Sequence, residues 1–181
     1  MPLEIRQFAC LSDNYGYLIR DSASGKTAAI DTPDAEAVLA ALKDAGWGLD
    51  YIFNTHWHPD HAGGNAEVKA ATGAEVVGPR EVTRIAPLDR EVRGGEGVQL
   101  GETCFEVIET GGHTLGHIAY HDAADRLAFV GDTLFALGCG RLFEGEPEQM
   151  WASLQRLAAL PDDTRVYCAH EYTASNARFA L

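Results

Sequence analysis

The sequence predicts an α/β fold in which two β-sheets pack face to face with helices on the outside. Three observations support this prediction: short apolar runs typical of strands alternate with segments of helical spacing, this alternation occurs in both halves of the chain, and no change of composition divides the halves. The length of 181 residues and the hydrophobic content of 46% suit a globular domain with a buried core. We therefore expect a single domain over residues 1–181.

Four strands and two helices are predicted in the first half. The strand-like runs cover residues 15–20, 27–31, 51–54 and 74–78. The first helix is predicted to have Thr32 as its N-cap, Pro33 at its first position and Gly46 at its end. The second helix covers residues 65–72 and ends at Gly73.

A polar connection over residues 79–96 leads into the second half, where strands and a helix recur. Its strand-like runs cover residues 103–109, 118–121, 126–130 and 165–168. A helix over residues 148–160 is predicted to end before Pro161. The buried face of this helix is predicted to contain Trp151, Leu154, Leu157 and Ala158.

The charge of the chain limits its partners. It carries 14 Lys and Arg against 27 Asp and Glu, a formal net charge of -13. Such a surface repels phosphate backbones, so we expect no nucleic-acid partner. Residues 1–6 lack the apolar segment of a signal peptide, and no run is long enough to span a bilayer. We therefore expect a cytoplasmic protein without a membrane partner.

The four cysteines are spread along the chain and include no C-x-x-C pair. They are Cys10, Cys104, Cys139 and Cys168. A disulfide framework is unexpected in a chain of this size, and the spacing is not that of a zinc finger. We expect buried or half-buried free thiols in a reducing compartment.

Residues 56–61 place three imidazoles and one carboxylate within six consecutive positions. Neutral imidazole and carboxylate are common ligands of borderline divalent metals. His56 and His58 are separated by two residues and point the same way in an extended backbone, so they can share one ion. Asp60 and His61 follow where the chain turns and can reach a second ion. The segment directly follows the strand at residues 51–54, a favoured location for ligand sites.

Further candidate ligands lie at the ends of other strands. His113 and His117 lie in a glycine-rich segment, while Asp132 and His170 each follow a hydrophobic strand. Each residue alone is typical of a hydrogen-bonded structural position or a turn. We expect a supporting role for His117 and only a partly exposed position for His121.

The order of these motifs along the chain resembles the metallo-β-lactamase superfamily. It reads T-H-x-H-x-D-H, then G-H-T-x-G-H, then G-D-T, then H-E-Y. Longer strings at residues 11–15, 131–135, 138–141 and 170–173 are similar to the glyoxalase II (hydroxyacylglutathione hydrolase) family. The resemblance extends over residues 11–179 and implies a four-layer αββα sandwich with a dinuclear metal centre. Zinc is the usual metal of the family, with iron and manganese as alternatives.

The resemblance implies seven metal ligands: His56, His58 and His113 for the first ion, Asp60, His61 and His170 for the second, and Asp132 bridging both. Such a set leaves coordination positions open, as catalytic rather than structural sites do. Ligating imidazoles also need their second nitrogen oriented. Asp31 and Thr55 are candidates for that role.

The chemistry that the resemblance implies is hydrolysis of the thioester in S-(2-hydroxyacyl)glutathione. A metal-bridging hydroxide, held through Asp60 and Asp132, would attack the carbonyl of S-D-lactoylglutathione and release D-lactate and glutathione. Arg141, Phe143 and Tyr172 are the candidate substrate contacts. Arg141 replaces a family lysine and Phe143 a family tyrosine, with core packing as the alternative role for Phe143.

The family pattern continues beyond the last motif into a helical domain that binds glutathione, whereas this sequence ends at Leu181. The resemblance therefore implies a catalytic domain without that C-terminal domain and with weaker affinity for glutathione thioesters. We expect a monomer, with self-association through an apolar face as the alternative.

Other functions stay open at this point. The same scaffold carries lactonases, β-lactamases and promiscuous thioesterases, and a related fold carries iron-dependent persulfide dioxygenases. A complete second set of ligands argues against the dioxygenase, which uses one ion. The net charge of -13 argues against a nuclease. A metal-binding module or a structural module is the alternative outside enzymology.

Overall fold

The computed structural model describes residues 3–181, so Met1 and Pro2 of the N-terminal segment considered above lie outside the described residues. Within this range the chain forms two large mixed β-sheets, a small hairpin, five α-helices and a short 3₁₀ helix. The sheets pack face to face and helices cover both outer surfaces. The arrangement has the four layers that the sequence predicted.

The first sheet contains β1 (Leu3–Cys10), β2 (Asn14–Asp21), β3 (Thr27–Ile30), β4 (Tyr51–Phe53), β5 (Glu75–Gly78) and β6 (Arg90–Glu91). The spatial order follows the sequence order from β1 to β6. The strands from β1 to β3 are antiparallel, whereas those from β3 to β6 run parallel. The carboxyl ends of β3 and β4 therefore meet at one edge.

The second sheet contains β7 (Gly97–Leu100), β8 (Thr103–Glu109), β9 (Ile118–Asp122), β10 (Leu127–Gly131) and β13 (Arg165–Cys168). Their order is β13-β10-β9-β8-β7, and only β10 and β13 are parallel. A hairpin of β11 (Leu134–Phe135) and β12 (Gly138–Cys139) follows β10.

The helices are α1 (Ala35–Ala45), α2 (Pro59–Ala62), α3 (Asn65–Thr72), α4 (Pro147–Ala158) and α5 (Thr173–Ala180), with the 3₁₀ helix at Arg80–Arg84. None of the helices found in residues 3–181 combines the length and the apolar composition needed to cross a membrane.

Alternation of side chains along the strands produces the layers. On β4, Phe53 points between the sheets and packs against Phe105 and Tyr120. Its neighbour Ile52 points the other way, into the apolar cluster under α1 and α3. Leu157 of α4 packs on the outer surface of the second sheet. The sheet-to-sheet core is thus largely aromatic at its centre.

The predicted start of the first helix is wrong. Asp34, not Thr32, is the N-cap, because its carboxylate accepts a hydrogen bond from the Ala37 backbone nitrogen at 2.8 Å. Pro33 therefore precedes the helix. Thr32 instead donates its hydroxyl to Asn65 at 2.6 Å. The helix ends at a left-handed Gly46, as predicted.

The predicted buried face of α4 is right for Leu157, which is buried, and wrong for Trp151 and Ala158. Trp151 is 62% exposed and Ala158 is exposed, whereas the buried residues are Met150, Ser153 and Leu157. Ser153 donates its hydroxyl to the Gly111 carbonyl at 2.7 Å, and this buried bond turns the polar side of the helix inward. Hydrophobic spacing alone could not reveal such a contact.

Several elements were not predicted from the sequence: β1, β7, the β11–β12 hairpin, α2 and α5. The connection at residues 79–96 also contains the 3₁₀ helix and β6. Strand β1 lacks clear alternation because it lies at a sheet edge and most of its side chains are at least partly exposed. The other missed segments are eight residues or shorter, which leaves little periodicity to detect.

The four cysteines of the described chain are free. Cys10 is buried and Cys168 is half-buried, as expected. Cys104 and Cys139 are exposed, which corrects the expectation for those two. Cys104 lies on the outward side of β8, and Cys139 lies on the short hairpin.

Asp21 links the two sheets. It ends β2, and its carboxylate accepts hydrogen bonds from the Glu102 backbone nitrogen at 3.1 Å and the Thr103 hydroxyl at 3.0 Å, at the start of β8. It also accepts two bonds from Ser24. Burial opposes the charged form, but these bonds together lower the pKa of Asp21 to about 2.

We predict that Asp21→Asn lowers the free energy of unfolding at pH 7, because an amide cannot accept all four bonds. A pKa lowered from 3.8 to about 2 stabilises the fold above the higher value, and this stabilisation is lost as pH falls toward the lower one. The difference between wild type and variant should therefore shrink between pH 4 and pH 2, as measured by urea unfolding. Glu102→Gln, at an exposed neighbour, is the control; an equal loss there would contradict the prediction.

Candidate metal centre

The predicted ligands meet at one end of the sandwich, where several strands terminate. His56 follows β4 and Asp132 follows β10, while His170 follows β13. Asp60 and His61 lie on the one-turn helix α2 rather than in an irregular loop. The two sheets thus both contribute side chains to the same cluster.

The first group of donor atoms contains three imidazole nitrogens. His58 Nδ1 lies 3.0 Å from His56 Nε2 and 3.0 Å from His113 Nε2. Nitrogens held about 2.0–2.1 Å from one zinc ion in a tetrahedron lie roughly 3.3 Å apart. The three residues are therefore spaced closely enough to hold one ion together.

The second group contains two imidazoles and one carboxylate. His61 Nε2 lies 3.3 Å from His170 Nε2. Asp60 Oδ2 lies 3.5 Å from His170 Nε2 and 3.8 Å from His61 Nε2. These three donor atoms also lie within reach of one common ion.

Asp132 faces both groups with different oxygens. Its Oδ2 lies 3.3 Å from His113 Nε2, while its Oδ1 lies 3.3 Å from both His61 Nε2 and His170 Nε2. Among the described residues this buried Oδ1 has no hydrogen-bond partner. An unpartnered buried carboxylate oxygen among imidazole nitrogens fits a site for divalent cations.

Electrostatics in the cluster favour an ionised Asp132. Burial alone would raise the pKa of its carboxyl, but the adjacent His61 and His170 hold that pKa well below its usual range. Burial alone would likewise lower the pKa of His61, but Asp132 and Asp31 raise it well above its ordinary value. Within the cluster, the buried negative charge of Asp132 is therefore offset by positive charge on the neighbouring imidazoles, above all on His61.

Most of the histidines point Nδ1 outward to an oxygen acceptor. The pairs are His56 with Thr55 Oγ1 at 3.0 Å, His61 with Asp31 Oδ2 at 2.8 Å, His113 with the Arg141 carbonyl at 2.8 Å, and His170 with Asp13 Oδ1 at 2.8 Å. Such acceptors keep the proton on Nδ1 and leave the Nε2 lone pair directed into the cluster. His58 is the exception, since its Nδ1 is the inward atom.

Asp31 supports ligands of both groups, His61 directly and His56 through Thr55, in the outer role predicted for it with Thr55. Besides His61, its carboxylate accepts bonds from the Thr55 nitrogen and hydroxyl, both at 2.8 Å. Its backbone has φ of 58°, in the left-handed region that Asp tolerates better than most residues. A strained backbone at this position is maintained by the bonds that the carboxylate makes.

His117 lies behind the cluster, in agreement with its predicted supporting role. Its Nε2 accepts a bond from the Asp132 backbone nitrogen at 3.1 Å, and its Nδ1 lies 2.8 Å from the Thr110 hydroxyl. Burial lowers the pKa of His117 to about 3, so the ring stays neutral. His121 corrects a prediction, because it is buried rather than partly exposed.

Sequence reasoning missed two contributors, Asp13 in the turn after β1 and Asn14 at the start of β2. Asp13 orients His170, and Asn14 Nδ2 donates to Asp60 Oδ2 at 3.2 Å. Both residues lie in the string at residues 11–15 that carried the family resemblance. Their specific contacts depend on a cross-sheet approach between Asn14 and His170 that spacing cannot indicate.

A cavity of about 640 Å³ opens onto the cluster, and the three predicted substrate contacts line it. The Arg141 guanidinium lies 5.7 Å from the centre of the Phe143 ring. Phe143 is 59% exposed beside His58 and His113, so its alternative role in core packing is excluded. Tyr172 stacks parallel to the His170 ring with centroids 5.0 Å apart.

We predict that Asp31→Ala lowers the free energy of unfolding of the metal-free protein by about 3–5 kcal/mol, since it leaves His61 Nδ1 and the Thr55 nitrogen without their buried acceptor. Asp34→Ala is the matched control, because loss of a helix cap costs about 0.5–2 kcal/mol. Urea unfolding of both variants in the presence of chelator measures the two losses. Equal losses would contradict the special role of Asp31.

Comparisons with known proteins agree with this geometry. Residues 16–170 match the Metallo-beta-lactamase superfamily. The hydroxyacylglutathione hydrolase of Erythrobacter litoralis is 59% identical over 179 residues, which cover 99% of this chain and 71% of that protein.

Solved structures show the same fold. ETHE1 from Myxococcus xanthus has a TM-score of 0.83 at 35% identity over 93% of this chain and 76% of that chain. TTHA1623 in a di-iron-bound form has a TM-score of 0.78 at 29% identity over 93% of this chain and 92% of that chain. The predicted fold class and family resemblance are therefore confirmed. The chain belongs to the metallo-beta-lactamase superfamily and, within it, to the hydroxyacylglutathione hydrolase family.

Proposed function

We propose that this protein hydrolyses the thioester bond of S-(2-hydroxyacyl)glutathione, such as S-D-lactoylglutathione, to a 2-hydroxy acid and glutathione. The observation that carries the proposal is the convergence of two donor groups on Asp132 at the floor of an open cavity. The name of the Erythrobacter litoralis relative supports this substrate class.

The proposed centre holds two divalent cations. The first is assigned to His56, His58 and His113, the second to Asp60, His61 and His170, and Asp132 is shared by both. Imidazole and carboxylate donors suit zinc, and the di-iron form of TTHA1623 keeps iron as an alternative, with manganese less favoured. Such ions supply an acidified water as nucleophile and an electrophile for the substrate carbonyl.

The side chains of the protein prepare the site for that chemistry. The outward acceptors fix the imidazole tautomers, and the bond from the Asp132 nitrogen to His117 fixes the shared carboxylate. In the reaction, water would lose one proton as its oxygen bonds to the thioester carbon. The carbon–sulfur bond would break, and glutathione would leave as a thiolate that takes up the released proton. Since a thiol has a pKa of roughly 8.5, its departure needs no positioned acid.

Substrate binding is assigned to the wall of the cavity. Arg141 and Tyr172 line this cavity, and we assign Arg141 to a carboxylate of the glutathione part and the Tyr172 hydroxyl to a polar group of it. Phe143 provides an apolar surface above His58 and His113. Stacking against Tyr172 also restricts the rotation of His170.

Hydrolysis of a lactone, a β-lactam or another thioester is the second candidate, because the open cavity and the exposed Phe143 do not exclude smaller acyl groups. A panel of these substrates, combined with metal quantification, tests the proposal. Two ions per chain and a preference for glutathione thioesters support it. One iron would favour the dioxygenase, and no bound metal would favour a structural module.

We predict that His56→Ala and Asp132→Ala each abolish both metal retention and thioester hydrolysis, because each removes a donor from the shared cluster. Metal content after gel filtration and steady-state rates measure the two effects. His121→Gln changes a buried histidine outside the cluster and should keep its metal. Wild-type turnover by a metal-free variant would contradict the proposed chemistry.

We predict that Arg141→Ala raises KM for a glutathione thioester by about 10-fold or more, because a hydrogen bond to a charged group contributes roughly 1.5–3 kcal/mol. An uncharged thioester should show an unchanged KM. Arg165→Ala removes an exposed arginine at the opposite end of β13 and is the control. An equal rise of KM for both substrates would contradict the assignment of Arg141 to glutathione binding.

A further inference from the structure

His113 lies in the segment that connects β8 to β9, and this segment is held from behind by two carboxylates. Glu81 Oε1 accepts a bond from the Thr114 hydroxyl at 2.6 Å, and Glu81 Oε2 accepts one from the Gly116 nitrogen at 2.7 Å. Glu144 Oε2 accepts a bond from the Leu115 nitrogen at 3.0 Å. Three consecutive residues after His113 are therefore fixed by side chains from elsewhere.

The Glu81 contact crosses between the two halves of the fold. Glu81 lies on the 3₁₀ helix after β5 of the first sheet, whereas Thr114 and Gly116 connect strands of the second sheet. The approach requires glycine, since a Cβ on Gly116 would lie 2.7 Å from Glu81 Oε2. Glu144 is itself held by Arg84 from the same 3₁₀ helix.

One side of this segment faces open space. A cavity of about 710 Å³ lies behind it, lined among others by Glu81, Leu115, Gly116 and His117. On the other side of His113, glycines at residues 111 and 112 are closely packed, since a Cβ on Gly112 would lie 2.9 Å from the Met150 backbone. Backbone bonds also hold the segment, from the Gly112 nitrogen to the Thr114 carbonyl at 2.9 Å and from the Phe143 nitrogen to the His113 carbonyl at 3.2 Å. On the side of the cavity, the Glu81 and Glu144 carboxylates supply the side-chain bonds to residues 114–116.

We propose that Glu81 is a positioning residue for the first metal group, acting through Thr114 and Gly116 on His113. The inference rests on the proposed dinuclear centre. His113 Nε2 must stay close to His58 Nδ1 and Asp132 Oδ2 to share an ion with the first group. A metal ligand must be held within about 0.5 Å of its working position, so release of the segment weakens the first ion.

The test measures metal affinity by competition with a chromogenic chelator and zinc. Glu81→Gln keeps the size of the side chain and retains one of the two acceptor oxygens. Glu81→Ala removes both oxygens. We expect the affinity for one ion to fall about 10-fold and up to about 100-fold respectively, the usual range for residues that orient ligands. The affinity for the other ion should stay within about 2–3-fold of wild type.

Two reference variants assign the result. His58→Ala removes a ligand of the first group only and identifies which stepwise constant belongs to that ion. Glu91→Gln changes a carboxylate on the same cavity wall that bonds Arg93 instead of the ligand segment, and should leave both affinities unchanged. The thermal midpoint of each metal-free variant reports general loss of structure.

The outcomes separate the alternatives. A selective loss of the ion affected by His58→Ala supports the positioning role. Equal weakening of both ions together with a lowered metal-free midpoint shows a merely structural role and overturns the inference. Unchanged affinities in Glu81→Ala also overturn it. Failure of the wild type to bind two ions would instead refute the proposed function.

Discussion

The packing of the two sheets against each other determines the donor distances that join ligands of different sheets, such as those from Asp132 to His61 and from His61 to His170. Hydrogen bonds between the sheets lie directly beside the ligands. The Ile118 nitrogen donates to the Thr55 carbonyl at 3.0 Å, immediately before His56. The Tyr15 nitrogen donates to the Ala169 carbonyl at 2.8 Å, immediately before His170. A shift of one sheet relative to the other in the aromatic core would therefore also move the ligands of the metal centre.

The buried hydroxyls of the core serve the same purpose. Tyr120 of the second sheet donates to the Asn54 carbonyl at 2.8 Å, two residues before His56, and Tyr17 of the first sheet donates to the Cys168 carbonyl. The ring of each tyrosine packs in the core, and its hydroxyl donates a hydrogen bond to a backbone carbonyl at the end of a strand. A phenylalanine at either position would fill the same space but leave a buried carbonyl without that donor.

The sequence was most informative where chemistry is concentrated in short strings. The imidazole-rich segment from His56 to His61 and the strand ends at Asp132 and His170 predicted the cluster that the structure brings together. Strand and helix patterns predicted two packed sheets with helices outside, and the family resemblance implied the four-layer sandwich. The N-cap of α1 was predicted wrongly because Thr32 and Asp34 are both residue types that cap helices well. The choice between them depends on Asn65, which is distant in sequence and accepts the Thr32 hydroxyl. The contacts of Asp13 and Ser153 were not predicted for the same reason, because each joins segments that are far apart in the sequence.

The two donor groups differ in how the fold supports them. Asp60 and His61 lie on a helix whose start is fixed by Pro59, so much of the second group is positioned locally. The first group instead takes His113 from a glycine-rich segment with a cavity behind it. Glycine permits the close approach of this segment to α4, where a Cβ on Gly112 would lie 2.9 Å from the Met150 backbone. The same freedom leaves the position of His113 dependent on distant hydrogen bonds, so sequence changes far from the cluster should act on the first ion more than on the second.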